Sequence, residues 1–402
     1  MNPTTAAPPP GPCPSLPSDL AAAGIRARHL ADVNGLQMHV LEAGFDPPGR
    51  PLLLLLHGFP ELAYSWRRLM PRLAAAGYHV VAPDQRGYGR TTGWTQGWIE
   101  SPPEHPCEDL ASFRLIHLAD DALHLVQALG CSQVAAVVGH DFGAPVAAWC
   151  ALMRPDVFKR LVLMSAPFGG PPAAPPTTQT ERGAPAVGSK SLHQQLAALP
   201  RPRKHYQWYF SQPEANAHLL HAAPSVQQFL RAYFHHKSAD WPHNNPHALA
   251  SWRAEDLAVL PDYYLMDLDK GMWPTVAPVM PSAAMVARNA WLPDADLAFY
   301  SAEFSRTGFQ GGLNWYRCAS VPSFVAEQQN WAGRSVDVPA LFIAGAQDWG
   351  VHQKPGEFDR MQRQGCTCLM GVHLLPGAGH WVQQEQAPAV AEALLDFLQT
   401  SA

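Results

Sequence analysis

Gly139-His140-Asp141-Phe142-Gly143 decides how the rest of this 402-residue chain is read. Before it, Gln133 to Val138 is a short apolar run that reads as a buried strand. After it, Ala144 to Met153 reads as a helix. Glycines two residues before and two after a polar residue allow a sharp strand-to-helix turn that lifts the central side chain above the sheet. Taken alone, the pentapeptide serves equally well as a glycine-rich turn with Asp141 as a helix N-cap. The surrounding chain has to separate the two readings.

Upstream, Val33-Asn34-Gly35-Leu36 carries a hairpin signal, Asn-Gly between two apolar-alternating runs. Pro51 to Leu56 reads as a buried strand, Trp66 to Ala76 as a helix ending at Gly77, and His79 to Ala82 as a strand. Leu118 to Leu129 has helical periodicity and stops at Gly130. Arg160 to Met164 is one more strand. Strands alternating with helices predict a mostly parallel sheet covered on both faces. The pattern changes after Pro167. Strand-like runs become few, and helical stretches such as Ser225 to His235 and Asp296 to Thr307 take over. Alternation resumes at Pro339 to Ile343 and Val372 to Leu375, with a last helix near Val390 to Leu398. The expectation is one α/β sheet unit in two chain segments, 25–168 and 326–402. A helical cap of residues 169–325 is inserted between them, and a proline-rich, disordered lead-in covers residues 1–24. Many of the 40 prolines sit at Pro3 to Pro17 and again at Pro167 to Pro202, which marks the lead-in and one boundary.

Composition narrows the function classes. The net charge is −5 and no basic run is present, so a nucleic-acid partner is not expected. The strongest apolar run, Leu52 to Leu56, is far too short to span a bilayer. Seven scattered cysteines lack metal-ligand spacing and suit a reduced, cytoplasmic protein. No metal or organic cofactor is implied. The oligomeric state is left open between monomer and homodimer.

An aspartate at the centre of the elbow has a chemical consequence. Serine attacking an alkyl carbon would leave an ether, which water does not readily cleave. A carboxylate leaves an ester, which water can cleave at the carbonyl. That second step needs a base. His380, in Gly379-His380-Trp381 after the last strand, is singled out from 19 histidines by its place at the sheet's carboxyl edge. Asp348, just after the preceding strand, is placed to orient it. The order Asp141, Asp348, His380 is the nucleophile–acid–base order of α/β-hydrolases. Backbone donors for the oxyanion are expected from Phe142, after the nucleophile, and Phe59, in the loop His57 to Glu61. Pro60 has no N–H to offer.

At this level of detail the chain resembles the epoxide hydrolase family of α/β-hydrolases. The matching segments are HGFPE at 57–61, RGYG at 86–89, GHDFGA at 139–144 and GHW at 379–381. Within the insertion, YQWYFSQPE at 206–214 and GFQGGLNWYR at 308–317 match as well and are more specific. The resemblance implies a small apolar epoxide and water as substrates, and two lid tyrosines, Tyr206 and Tyr316, on the epoxide oxygen. Tyr209, one helical turn from Tyr206, competes for the first position. Trp208, Phe210, Trp315 and Trp381, together with Phe59 and Phe142, are candidates for an apolar pocket wall. The sheet motifs are shared with haloalkane dehalogenases, the alternative reading within the class of haloalkane and haloacid dehalogenases. Halide stabilisation, however, calls for side-chain N–H donors where this chain has Phe142 and Phe59. Two segments depart from the family pattern: 92–113, with Trp94, Trp98 and Cys107, and the proline- and alanine-rich 169–188.

Overall fold

The computed structural model describes residues 13–102, 106–174 and 191–400. Among the described residues ten strands form: β1 (Ile25–Val33), β2 (Leu36–Ala43), β3 (Leu52–Leu56), β4 (His79–Pro83), β5 (Ala136–His140), β6 (Leu161–Met164), β7 (Arg203–His205), β8 (Leu265–Asp267), β9 (Ala340–Gly345) and β10 (Leu369–Leu375). Eight of them make one sheet in the order β1-β2-β4-β3-β5-β6-β9-β10. β2 is antiparallel to both neighbours, and every other pair is parallel. β3, β5 and β6 are buried along their whole length, as strands covered on both faces must be. The β1–β2 turn has Asn34 and Gly35 at φ 50° and 79°, the positive angles that a two-residue hairpin turn demands.

Local chemistry sets the element boundaries. The helix expected over Trp66 to Ala76 divides into a 3-10 turn, Ala63–Trp66, and a helix, Met70–Ala75. Pro71 is the cause. Without an N–H it belongs in the first turn of a helix, so the helix starts there. β10 begins three residues before the expected Val372, at Leu369. As the edge strand it is only half covered, so Met370 is exposed and no unbroken apolar run marks it.

Between β6 and β9 lies the lid. It is built from short helices and a small sheet in which β7 pairs antiparallel with β8. These three-residue strands are too short to leave a period in the sequence. The long lid helices are Val226–Lys237, Asp294–Thr307 and Gln310–Ala319. The last of them crosses the Arg86–Gly89 turn at backbone contact distance: a Cβ on Gly311 would lie 1.9 Å from the Gly87 carbonyl oxygen. Trp315 donates its indole N–H to the Arg86 carbonyl at 3.0 Å. The glycine pair is what lets lid and sheet turn meet here.

The described parts of segment 92–113 pack on the same helix. Arg317 lies 3.6 Å over the Trp98 ring and donates to the Ile99 carbonyl at 2.8 Å. Of the expected disordered lead-in, Ser18–Ala22 instead forms a one-turn helix with Leu20 buried against the sheet unit. Residues 1–12, and 175–188 of the proline- and alanine-rich segment, lie outside the described residues. No helix among the described residues is long and apolar enough to cross a membrane.

Candidate active site

β5 ends in the sharp turn that its glycines predict. Asp141 sits at φ 51°, a left-handed conformation that residues with a Cβ seldom adopt. A Cβ on Gly139 would fall 2.1 Å from the Gly143 carbonyl oxygen, and one on Gly143 would fall 2.2 Å from that of Leu56. Both positions are therefore closed to any side chain. Strain of this kind persists only where the surroundings impose it. Gly58 does the same from the β3 side, where a Cβ would stand 2.4 Å from Cβ of Asp141.

The two carboxylate oxygens of Asp141 have different partners. Oδ1 accepts the Phe59 backbone N–H at 3.0 Å, and Oδ2 lies 3.1 Å from Nε2 of His380. His380 Nδ1 in turn lies 3.0 Å from Oδ1 of Asp348, which also accepts the Gly350 N–H at 2.7 Å. Phe142 stands at the start of the helix Gly143–Met153, where backbone N–H groups have no helical carbonyl to bond. The acid and base loops abut: a Cβ on Gly345 would be 2.2 Å from the carbonyl oxygens of both Ala378 and Gly379. All three triad side chains are buried.

Burial alone would push the Asp141 carboxyl up. The His380 hydrogen bond and the charges of Lys237 and His380 outweigh it and hold the group well below the usual carboxylate range. Asp348 is lowered too, with the charge and hydrogen bond of His380 overcoming burial. His380 is held above the ordinary imidazole value. Burial and Lys237 oppose this, but the Asp348 charge and the bonds to both carboxylates prevail.

Across from Asp141 a cavity of about 520 Å³ opens under the lid, lined by Asp141, Phe142, Trp149, Tyr206, Trp315 and Tyr316 among others. Tyr206 opens the helix Tyr206–Phe210. Its hydroxyl donates to Gln353 Oε1 at 3.0 Å and accepts from Gln207 at 3.2 Å. The Tyr316 ring stands edge-on to Phe59 and Phe142, with centroids 5.5 and 5.1 Å away, and 6.0 Å from the Tyr206 ring. Burial first, then the Asp141 charge, raises both phenols well above their ordinary value, so both are neutral O–H donors. Tyr209 points elsewhere, its hydroxyl 3.2 Å from Nδ1 of His218.

The remaining wall candidates divide. Trp315 and Phe142 line the cavity. Phe59 and Phe210 lie behind Tyr316, packed on it and on each other. Trp381 is buried against His380 and donates to the Phe234 carbonyl at 2.8 Å. Trp208 is not a wall residue. It is 40% exposed and stacks on His193 at 4.1 Å, because the helix it belongs to turns Tyr206 and Phe210 inward and its own position outward.

Four features escaped the sequence reading. Glu61 and His140 form a buried pair 2.5 Å apart, and His140 Nε2 holds the His380 carbonyl at 2.7 Å. Gln383 and Gln384 donate to the other Glu61 oxygen at 2.8 and 3.2 Å. Ser165, at φ 67°, donates to the same His380 carbonyl at 3.0 Å. Lys237 is buried beside the triad. Glu61 and His140 were visible as titratable residues inside two of the matched motifs. Nothing in the sequence separates Lys237 from an ordinary helix-terminal lysine.

The chain matches the family model described as alpha/beta hydrolase fold over residues 51–387. It is 34% identical to epoxide hydrolase A of Mycobacterium tuberculosis over 386 residues, covering 93% of this chain and 98% of that one. It is 31% identical to an epoxide hydrolase of Caballeronia sordidicola, covering 94% of each. Among solved structures, an epoxide hydrolase from an endophytic Streptomyces superposes with a TM-score of 0.70 at 30% identity, over 93% of this chain and 95% of that one. Potato (Solanum tuberosum) epoxide hydrolase I gives 0.68 at 30% identity, over 93% and 99%.

Proposed function

Because the chain belongs to the epoxide hydrolases of the α/β-hydrolase superfamily, we propose that it opens a small apolar epoxide through an ester on Asp141. One observation carries this reading: an anionic carboxylate and two neutral phenols border the same cavity. Residues 25–168 and 326–402 act as the sheet unit and residues 169–325 as its lid.

Asp141 Oδ1 is engaged by the Phe59 amide, which leaves Oδ2 as the attacking atom. An Oδ2–carbon bond forms as the ring carbon–oxygen bond breaks. The alkoxide takes a proton from Tyr206 or Tyr316, leaving a tyrosinate. His380 then removes a proton from water, and the hydroxide adds to the ester carbonyl. Negative charge collects on Oδ1, where the amides of Phe59 and Phe142 face it. Collapse breaks the bond between the carbonyl carbon and Oδ2, which departs on the substrate carbon as the second diol oxygen, while the water oxygen stays on Asp141. The new carboxyl proton goes to the departing diol oxygen, and the proton on His380 restores the tyrosinate. Asp348 keeps the imidazole in the tautomer with its proton on Nδ1 throughout.

The test is to stop the cycle halfway. His380→Gln forms the ester and does not hydrolyse it, so intact-mass spectrometry after mixing with styrene oxide shows protein plus one substrate mass. Wild-type turnover of that epoxide with no adduct on the variant, substrate binding having been verified, would remove the covalent scheme.

A further inference from the structure

Lys237 closes the lid helix Val226–Lys237, and its side chain is buried next to the triad. Its ammonium is enclosed by rings, 5.2 Å from the Trp381 centroid, 5.3 Å from Tyr264, 5.4 Å from Tyr233 and 6.0 Å from Tyr263. Among the described residues it forms no ion pair. A lysine is almost never buried unless something compensates its charge. Here the compensation comes from the negative ring faces and from three carboxylates, Asp141, Asp348 and Glu61.

Those carboxylates approach from three separate elements: Asp141 from the β5 turn, Asp348 from the β9 loop and Glu61 from the loop after β3. His380 shares the base loop with Trp381. Tyr233 belongs to the same helix as Lys237, and Tyr263 and Tyr264 precede β8. Two polar atoms in this group have no partner, Oδ2 of Asp348 and the Tyr264 hydroxyl. The other Asp348 oxygen, Oδ1, is held by His380 and Gly350, and the Asp348 charge acts on Lys237. The backbone is joined at the same point, since the His380 N–H donates to the Lys237 carbonyl at 2.9 Å.

The charge has a different task at each half of the cycle. Before attack, Asp141 must be anionic inside a closed apolar cavity. After attack, Asp141 is a neutral ester, and one of the two carboxylates that favour a proton on His380 is gone. The base must then be free of its proton to activate water. A fixed positive charge assists both steps, and among the described residues Lys237 is the lysine whose charge leads on both Asp141 and His380. Resting on the covalent reading above, we propose that Lys237 is a positioning residue: its buried charge holds Asp141 anionic before attack and keeps His380 unprotonated once Asp141 is esterified.

The test separates this role from packing. Ester formation and ester hydrolysis are followed by quenched-flow mass spectrometry with styrene oxide between pH 5 and 9. Lys237→Met keeps the length of the side chain and removes the charge; Lys237→Arg keeps the charge. In Lys237→Met the ester still forms but more slowly. The pH midpoint of its hydrolysis rises by about one unit, so hydrolysis is ~10-fold slower below the midpoint. In Lys237→Arg the midpoint stays at the wild-type value. A Lys237→Met protein with an unshifted midpoint overturns the proposal, and so does an equal shift in both variants. If Lys237→Met does not fold, the wild-type protein still decides, since a hydrolysis midpoint at or above ~6.5, the ordinary imidazole value, also overturns it. Absence of any ester in the wild type and in His380→Gln would instead count against the covalent reading.

Discussion

The two halves of the active site are held by different forces. The sheet half delivers Asp141, Asp348 and His380 from turns at the carboxyl ends of three parallel strands. Their positions follow from strand register and from glycines that admit no Cβ, at 58, 139, 143 and 345. The lid half delivers Tyr206 from the short helix Tyr206–Phe210 and Tyr316 from the longer Gln310–Ala319. Their positions follow from ring packing among Phe59, Phe142, Phe210 and Tyr264, and from the Gln353 bond to Tyr206. Backbone hydrogen bonds fix the proposed nucleophile, whereas side-chain contacts fix the proposed acids. Asp141 is thus built to tight tolerance, and the two tyrosines sit on a surface that can be repacked.

The contrast predicts which chemical step each half controls. The largest effect is expected from Tyr206→Phe with Tyr316→Phe. Ester formation falls by ~10²–10⁴, the usual worth of general acid catalysis. Hydrolysis of a preformed ester is spared, because the phenols face only the ring oxygen. Each single change costs less than the pair. If the folded double variant opens an unactivated epoxide at the wild-type rate, the lid half has no chemical role. Gly58→Ala attacks the other half. Its methyl meets the Cβ of Asp141, and a misplacement of this kind costs ~10². Because the same carboxyl acts in both steps, ester formation and hydrolysis fall together, and stopped-flow traces that show only one slowed would erase the distinction drawn here. The smallest effect belongs to Trp208→Ala. The residue lies in a matched lid motif but faces solvent, so turnover stays within about twofold and stability within ~0.5 kcal/mol, read from steady-state rates and thermal melts.

The same division governs what the sequence could reveal. The sheet strands and the triad were legible because the signals are local and periodic: apolar runs, glycine spacing at 139 and 143, and chain order. The lid tyrosines were legible only through the resemblance, since Tyr206 and Tyr209 are chemically alike. What separates them is that Gln353 lies 147 residues away in sequence from Tyr206, and pairing at that distance leaves no local trace. Trp208 was misplaced for the same reason, since an aromatic on a five-residue helix carries no period to show which way it faces. Lys237 was invisible because its environment is assembled from the lid, the base loop and three strand ends.

The seam between lid and base loop has a mechanical consequence. The His380 amide is bonded to the lid at Lys237, and one carboxylate oxygen of Glu385 accepts N–H groups from Ala239 in the lid and Gly379 in the base loop, at 2.8 and 3.0 Å. A lid lifted at this end would carry His380 away from Asp141. On the mechanism proposed above, these bonds would act as an interlock: water activation by His380 would be complete only while this end of the roof is latched, and substrate would have to pass elsewhere around the rim.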